Sequence, residues 1–151
     1  RLLELEMTES VLMKDATSTV AILGILREKG IQVAVDDFGT GYSSMRSLRD
    51  FKINTLKISE SFVRQITTLP SETSLVTAAI RVAQSLNVRV LAEGVEDHRA
   101  VAFLRSEQCD EAQGNYFSRP VPPEEFAKLL ETGIASTLLL PLAETIVQDR
   151  R

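Results

Sequence analysis

Residues 31–44 read Ile31-Gln32-Val33-Ala34-Val35-Asp36-Asp37-Phe38-Gly39-Thr40-Gly41-Tyr42-Ser43-Ser44. The first five are mostly apolar and β-branched, the composition of a buried strand. Two adjacent carboxylates end the run. A loop carrying two glycines comes next, and the pattern predicts a short helix over 43–50 with Met45 and Leu48 on one side. A strand that ends in acids and passes through a glycine loop into a helix is one β-α unit. Adjacent acids at a buried strand end need partners, because an unpaired charge there is costly. The glycines permit positive φ and close backbone approach. The loop therefore reads either as a plain βα turn or as a mobile segment that controls the aspartates before it.

The same unit recurs outward. Residues 2–7 form a first strand, and Ser10 or Asp15 can cap the helical segment after it. Val20, Leu23, Ile25 and Leu26 give a helical face closed by Lys29-Gly30. Residues 55–58 are the next strand. Helix 75–86 carries Leu75, Ala79, Val82 and Leu86 at spacings of four, three and four, and Asn87 ends it. Strand 88–91 leads into Ala92-Glu93-Gly94. A helix over 97–108 has Asp97 as its cap, with Val101 and Leu104 inward. A short strand over 112–117 precedes a helix from Pro122 to Leu130, which has acids in its first turn and Gly133 at its end. Domain boundaries fall at 1–133 and 134–151, the second a tail with room for one more helix after Pro141. Repeated β-α units imply a parallel sheet whose strands are apolar on both faces, as a sheet covered on both sides requires. No Gly-x-Gly-x-x-Gly succeeds the first strand and there is no Walker loop. A doubly wound sheet and part of a (β/α)8 barrel both fit.

Composition narrows the chemistry. The chain has 151 residues, 44% of them hydrophobic and 25% charged, which suits a folded globule. No apolar run approaches the length of a membrane span. One cysteine, Cys109, excludes an internal disulfide or a multi-cysteine zinc site and fits a cytoplasmic setting. One histidine, His98, disfavours histidine-based zinc or Ser-His chemistry. A net charge of −4 argues against a broad cationic face for a nucleic-acid polymer, but not against a small phosphorylated ligand held through metals. What remains for hydrolysis is carboxylates with hard metal ions.

Polar residues recur at one place in each unit: Glu6, then Asp36 and Asp37, then Lys57, then Glu93, then Gln113. In a barrel all strand carboxyl ends open on the face that carries the active site. Four carboxylates there repel unless cations fill the space, and Mg²⁺ and Mn²⁺ prefer oxygen ligands. Lys57 adds a cation able to hold a water or phosphate oxygen, or to relay a proton. Taken singly, Glu6 is more ordinary as a cap or surface ion-pair partner, Lys57 as a snorkelling side chain and Glu96 as a helix-start charge.

Taken together, the strings are specific. Glu6-Met7-Thr8-Glu9-Ser10, Asp36 to Ser44, Leu56-Lys57-Ile58, Ala92-Glu93-Gly94-Val95-Glu96, and Gln113-Gly114 with Phe117-Ser118-Arg119-Pro120 occur in order. Over about residues 2–131 the chain resembles the EAL domain, a bacterial family of cyclic di-GMP phosphodiesterases. The resemblance implies a modified TIM-like (β/α)8 barrel that hydrolyses cyclic di-GMP to 5′-pGpG with two Mg²⁺ or Mn²⁺ ions. It implies Glu6, Asp36, Asp37 and Glu93 as metal ligands, with Asp37 bridging, and Lys57 beside the attacking water. It places Gln113 near metal-bound water, and Glu9 as a brace for the loop Phe38-Gly39-Thr40-Gly41. Glu96 becomes a second acid of the site.

Two departures modify this expectation. Ser59 stands where the family commonly has Asp. The family's Glu-Ala-Leu string, its following Arg and an Asn ligand are absent, and a whole barrel takes about 240 residues. The chain is therefore expected to be the later part of the domain, a partial barrel of about five strands with little turnover alone. Its open sheet edges are expected to self-associate, as a homodimer or otherwise. The alternative reading is a non-catalytic module for cyclic di-GMP binding, regulation or dimerisation.

Overall fold

A computed structural model of the chain describes residues 3–41, 45–68 and 70–133. The tail 134–151 with its predicted helix lies outside the described residues, as do Tyr42, Ser43 and Ser44. In chain order the elements are β1 (Glu4–Thr8), α1 (Glu9–Met13), α2 (Ala16–Glu28), β2 (Gln32–Phe38), α3 (Met45–Phe51) and β3 (Thr55–Ile58). Then come α4 (Glu60–Val63), α5 (Pro70–Leu86), β4 (Arg89–Ala92), α6 (His98–Ser106), β5 (Glu111–Ala112) and α7 (Pro123–Thr132). The strands form one five-stranded sheet in the order β1-β2-β3-β4-β5. Every pair is parallel. Each strand thus lies beside its successor, and all carboxyl ends share one rim. This is the α/β partial barrel that the family resemblance implied, and not the doubly wound sheet that the repeated units also allowed.

Local chemistry sets the element ends. Asp15 caps α2, its carboxylate accepting the Ser18 N–H at 3.1 Å and the Ser18 hydroxyl at 2.6 Å, and these bonds hold its pKa below the ordinary value. Asp97 caps α6 through the Ala100 N–H at 2.8 Å. Asn87 leaves α5 at φ 56°, a left-handed value Asn tolerates.

The core lies between the sheet and the helices, in two clusters. Leu56, Ile58, Val90 and Ala92 pack against Val76, Ile80, Ala83 and Leu104. Val33 and Val35 pack against Leu12, Leu23, Leu48 and Phe51. Two expectations are corrected here. The buried face of α5 is carried by Val76, Ala79, Ile80 and Ala83, with Val82 and Leu86 packed beside it, so of the expected stripe only Leu75, half exposed, falls outside. The helix starts at Pro70, and its sequence supports two overlapping stripes one residue apart, which periodicity alone does not separate. The strand predicted over 112–117 ends at Ala112; the chain then turns, with Phe117 N–H bonding Gly114 C=O at 3.1 Å.

A third correction concerns the other face of the sheet, which is polar rather than apolar. Glu4, Gln32, Thr55, Arg89 and Glu111 meet there in one hydrogen-bonded layer. Nearer the carboxyl rim lie Glu6, Asp36, Lys57 and Glu93.

Candidate metal centre

Neighbouring residues of a regular strand point to opposite faces, so Asp36 and Asp37 should part. They do not. The β2–β3 register slips between Val35 and Phe38, and Asp37 adopts φ 54°. This bulge with a left-handed residue re-aims the second side chain. Carboxylate oxygens of Asp36, Asp37 and Glu93 consequently lie within 4.8 Å of one another. Glu93 reaches the same point because its N–H continues the ladder onto Ile58 C=O at 3.2 Å.

Lys57 stands at the centre of the acids. Its ammonium lies 2.8 Å from Glu6, 3.1 Å from Asp36 and 2.8 Å from Glu93, and its side chain is only 6% exposed. Burial pulls its pKa down, but the negative charges of Glu6, Glu93 and Asp36 within ion-pair distance outweigh that and hold it above the ordinary lysine value. Burial pushes the Glu93 carboxyl above the usual range; the Lys57 ammonium opposes this, and the charges of Asp36 and Glu6 add to it. Glu6 touches Lys57 but is not a member of the three-carboxylate cluster.

The donor set suits a hard divalent cation. It is all oxygen. Oδ1 of Asp36 is buried and, although within ion-pair distance of Lys57, makes no aligned hydrogen bond. A buried carboxylate oxygen with an unused lone pair is costly in a dry setting, and a cation shared with Asp37 and Glu93 would satisfy it.

The loop after β2 is braced from below. Glu9, 3% exposed, accepts the Gly39 N–H at 3.1 Å. A Cβ on Gly41 would come within 2.9 Å of Glu9 Oε1, and one on Gly39, at φ 100°, within 2.8 Å of the Phe62 ring. Thr40 donates its hydroxyl to Asp37 C=O at 2.8 Å, closing the turn over the bulge. Phe38 is half-buried between the two core clusters.

Glu96 and Gln113 sit beside the acids rather than among them. Glu96 pairs with Arg64 at 2.9 Å, and Arg64 also holds Glu60 at 2.6 Å. Gln113 is tied through its backbone to Ala92 C=O and Val95 N–H, and its side chain is exposed. Both line a cleft of about 1050 Å³ with Glu93, Arg105, Phe117 and Arg119. Ser59 precedes α4, its hydroxyl 3.0 Å from that of Ser61. Sequence reasoning missed the Arg64 pairings and the whole Arg89 layer. The signal available for the latter was a polar residue opening every strand, namely Glu4, Gln32, Thr55, Arg89 and Glu111.

Fold and site together define an α/β partial barrel with a carboxylate cluster at its strand-end rim. The EAL domain model matches residues 1–120, and the chain belongs to that family. It is 42% identical over 130 residues to the signaling protein YkoW of Bacillus subtilis, covering 86% of this chain and 16% of that protein. It is 44% identical over 120 residues to the cyclic di-GMP phosphodiesterase NbdA of Pseudomonas aeruginosa, covering 80% and 15%. Among solved structures, the EAL domain of Mycobacterium smegmatis DcpA superposes with a TM-score of 0.79 at 41% identity, over 86% of this chain and 58% of that one. The PaMucR phosphodiesterase in complex with c-di-GMP gives 0.80 at 36%, over 82% and 50%. The chain therefore spans about a sixth of the length of these curated relatives and about half of these solved chains.

Proposed function

We propose that the rim cluster is the metal-binding part of a cyclic di-GMP phosphodiesterase site that yields 5′-pGpG. The observation that carries this is the meeting of Asp36, Asp37 and Glu93 oxygens within 4.8 Å, one of the Asp36 oxygens buried without an aligned partner. Relatives named as cyclic di-GMP phosphodiesterases support the substrate. A relative solved with manganese and cyclic di-GMP supports the ion class. Asp36, Asp37 and Glu93 are assigned as ligands to Mg²⁺ or Mn²⁺, with Glu6 joining them if it leaves Lys57. Two such ions supply charge stabilisation for the attacking and leaving oxygens of a phosphodiester.

The chain's own residues supply the rest. Lys57 stays protonated, so it acts as a fixed cation that holds an anionic or water oxygen rather than as a base. Glu9 and Thr40 keep the bulge in place. Gln113 and Glu96 border the cleft that receives the nucleotide. Among the described residues the sheet is open at β1 and β5, so the cluster is not enclosed; we expect low turnover by the 151-residue chain and self-association through those edges. The segment 1–133 is assigned to the EAL domain and 134–151 to its tail.

The test is a calorimetric titration with Mn²⁺ and a nucleotide assay with cyclic di-GMP, on the chain and on its Asp36→Asn and Asp37→Asn forms. Binding lost in both variants supports the assignment. Mn²⁺ binding indifferent to both, or none at all, would falsify it. Robust hydrolysis abolished by Glu93→Ala would overturn the expectation of low turnover and leave the site standing.

A further inference from the structure

We propose that Arg89 is a positioning residue: an inner-face clasp that ties all five strands and so fixes the spacing of the acids above it. Arg89 Nη1 donates to Glu111 on β5 at 2.8 Å. Its Nη2 donates to Thr55 on β3 at 2.9 Å, to Glu4 on β1 at 3.2 Å and to Gln32 on β2 at 3.4 Å. Thr55 itself donates to Glu4 at 2.6 Å. One guanidinium on β4 therefore touches every other strand of the sheet.

In a flat sheet four strand spacings would put β1 about 19 Å from β5. Both edges nevertheless reach the two ends of a single planar fork. The sheet must be rolled, and Arg89 sits at the axis of the roll. Two charges of the same sign, Glu4 and Glu111, are drawn from the two edges toward one cation. The pairs are partly exposed, with side chains 43%, 31% and 41% accessible for Arg89, Glu4 and Glu111. Each is individually weak, so their joint effect is on curvature more than on stability. Curvature matters to the rim because the strands run parallel. Arg89 pairs with Thr55, and two residues further along those strands Lys57 pairs with Leu91. Glu6 is two residues beyond Glu4, and Gln113 two beyond Glu111. Spreading the strands at the Arg89 layer spreads them at the acids.

The clasp rests on the metal-site reading for its consequence and on the roll of the sheet for its cause, so the experiment reads both. In a Cys109→Ala background, nitroxides are placed on Val11 of α1 and Ala102 of α6, and their separation is measured by double electron–electron resonance. Mn²⁺ affinity and melting are monitored on the same proteins. Arg89→Leu is expected to broaden the distance distribution and to weaken Mn²⁺ binding by about tenfold while a cooperative melt persists. Glu111→Gln, which keeps Arg89 but loosens its tie to β5, is expected to move both readouts in the same direction. Arg89→Lys is expected to restore neither, since an ammonium cannot bridge both edges. An unchanged distance distribution in Arg89→Leu and Glu111→Gln overturns the proposal. So does a broadened distribution with Mn²⁺ affinity intact. If the unsubstituted chain takes up no Mn²⁺, the metal reading falls and the distance distribution alone decides the clasp.

Discussion

Lys57 holds three carboxylates that would otherwise repel. Lys57→Met leaves Glu6, Asp36 and Glu93 without their cation. Removing one member of a buried pair costs about 3–5 kcal/mol, and partial exposure of the acids lowers that to about 2 kcal/mol here. Urea denaturation should show this loss without metal and a partial recovery with Mn²⁺, which takes over the neutralisation. Glu93 gives the opposite sign. Its carboxyl is raised, so folding favours its protonated form, and that stability is lost as pH rises from 4.5 through the folded value. Glu93→Gln should therefore stabilise the metal-free chain at pH 7, the gain vanishing below about pH 4.5; a destabilised variant at pH 7 contradicts this. Cys109 is similar chemistry away from the site. Burial pushes its thiol from 9.0 up to about 11, and the thiol faces the carbonyls of Val90 and Glu111. The folded chain keeps the proton longer than the unfolded one, so stability should fall by about 2 kcal/mol as pH climbs from about 9 to about 11. Cys109→Ala should flatten that limb of the pH–stability curve. These residue types were legible in the sequence. The gathering of Lys57 and the acids at one rim was legible too, from their recurrence at strand ends. That Lys57 pairs directly with Glu6, Asp36 and Glu93 was not, because side-chain reach across four strands is set only by packing.

At the scale of elements, two glycines with opposite surroundings make a paired test. Gly24 lies inside α2 with no atom within 4 Å of a built Cβ. Gly24→Ala should raise stability by about 0.5–1 kcal/mol through helix propensity alone. A Cβ on Gly114 would fall 2.1 Å from Val95 C=O and 2.3 Å from its nitrogen. Those are backbone atoms of the β4–α6 connection, which cannot step aside, so Gly114→Ala should cost about 3 kcal/mol or more. Thermal melts of the two variants should move in opposite directions. Strand β3 was readable to its boundaries from four residues of the sequence. The phase of α5 was readable only in part: Ala79, Val82 and Leu86 do face the core, but Val76 and not Leu75 fills its first turn, a choice that only the packed sheet makes. The bulge in β2 was equally hidden: Asp36-Asp37 marks a strand end, but whether its two side chains part or converge is decided by one backbone angle.

At the scale of the whole molecule, the alternation of elements left a doubly wound sheet and a barrel both open, and the family resemblance pointed to the barrel whose strand order is seen. The polar layer inside the roll was not legible. Rolling depends on a polar layer whose members are Glu4, Gln32, Thr55, Arg89 and Glu111, each ordinary in its own strand. Among the described residues the sheet has two unpaired edges, β1 and β5, and Leu3 beside the first is 54% exposed. Unpaired strand edges beside exposed apolar side chains recruit further strands. Light scattering should show mass rising with concentration, and a Leu5→Lys substitution on β1 should reduce it. A monomer at every concentration rules the association out. Among the described residues no helix is long and apolar enough to cross a membrane.

The bulge at Asp37 makes ligand number a property of the backbone. With the slip in β2, three carboxylates converge; with the strand straightened, Asp37 would turn to the helix side and two would remain. An ion that requires all three therefore binds one backbone state in preference to the other. By linkage its binding free energy becomes conformational free energy of β2 and its loop. Metal concentration and the shape of that loop are then two readings of one equilibrium, and anything that grips the loop from outside must change the apparent affinity for the ion.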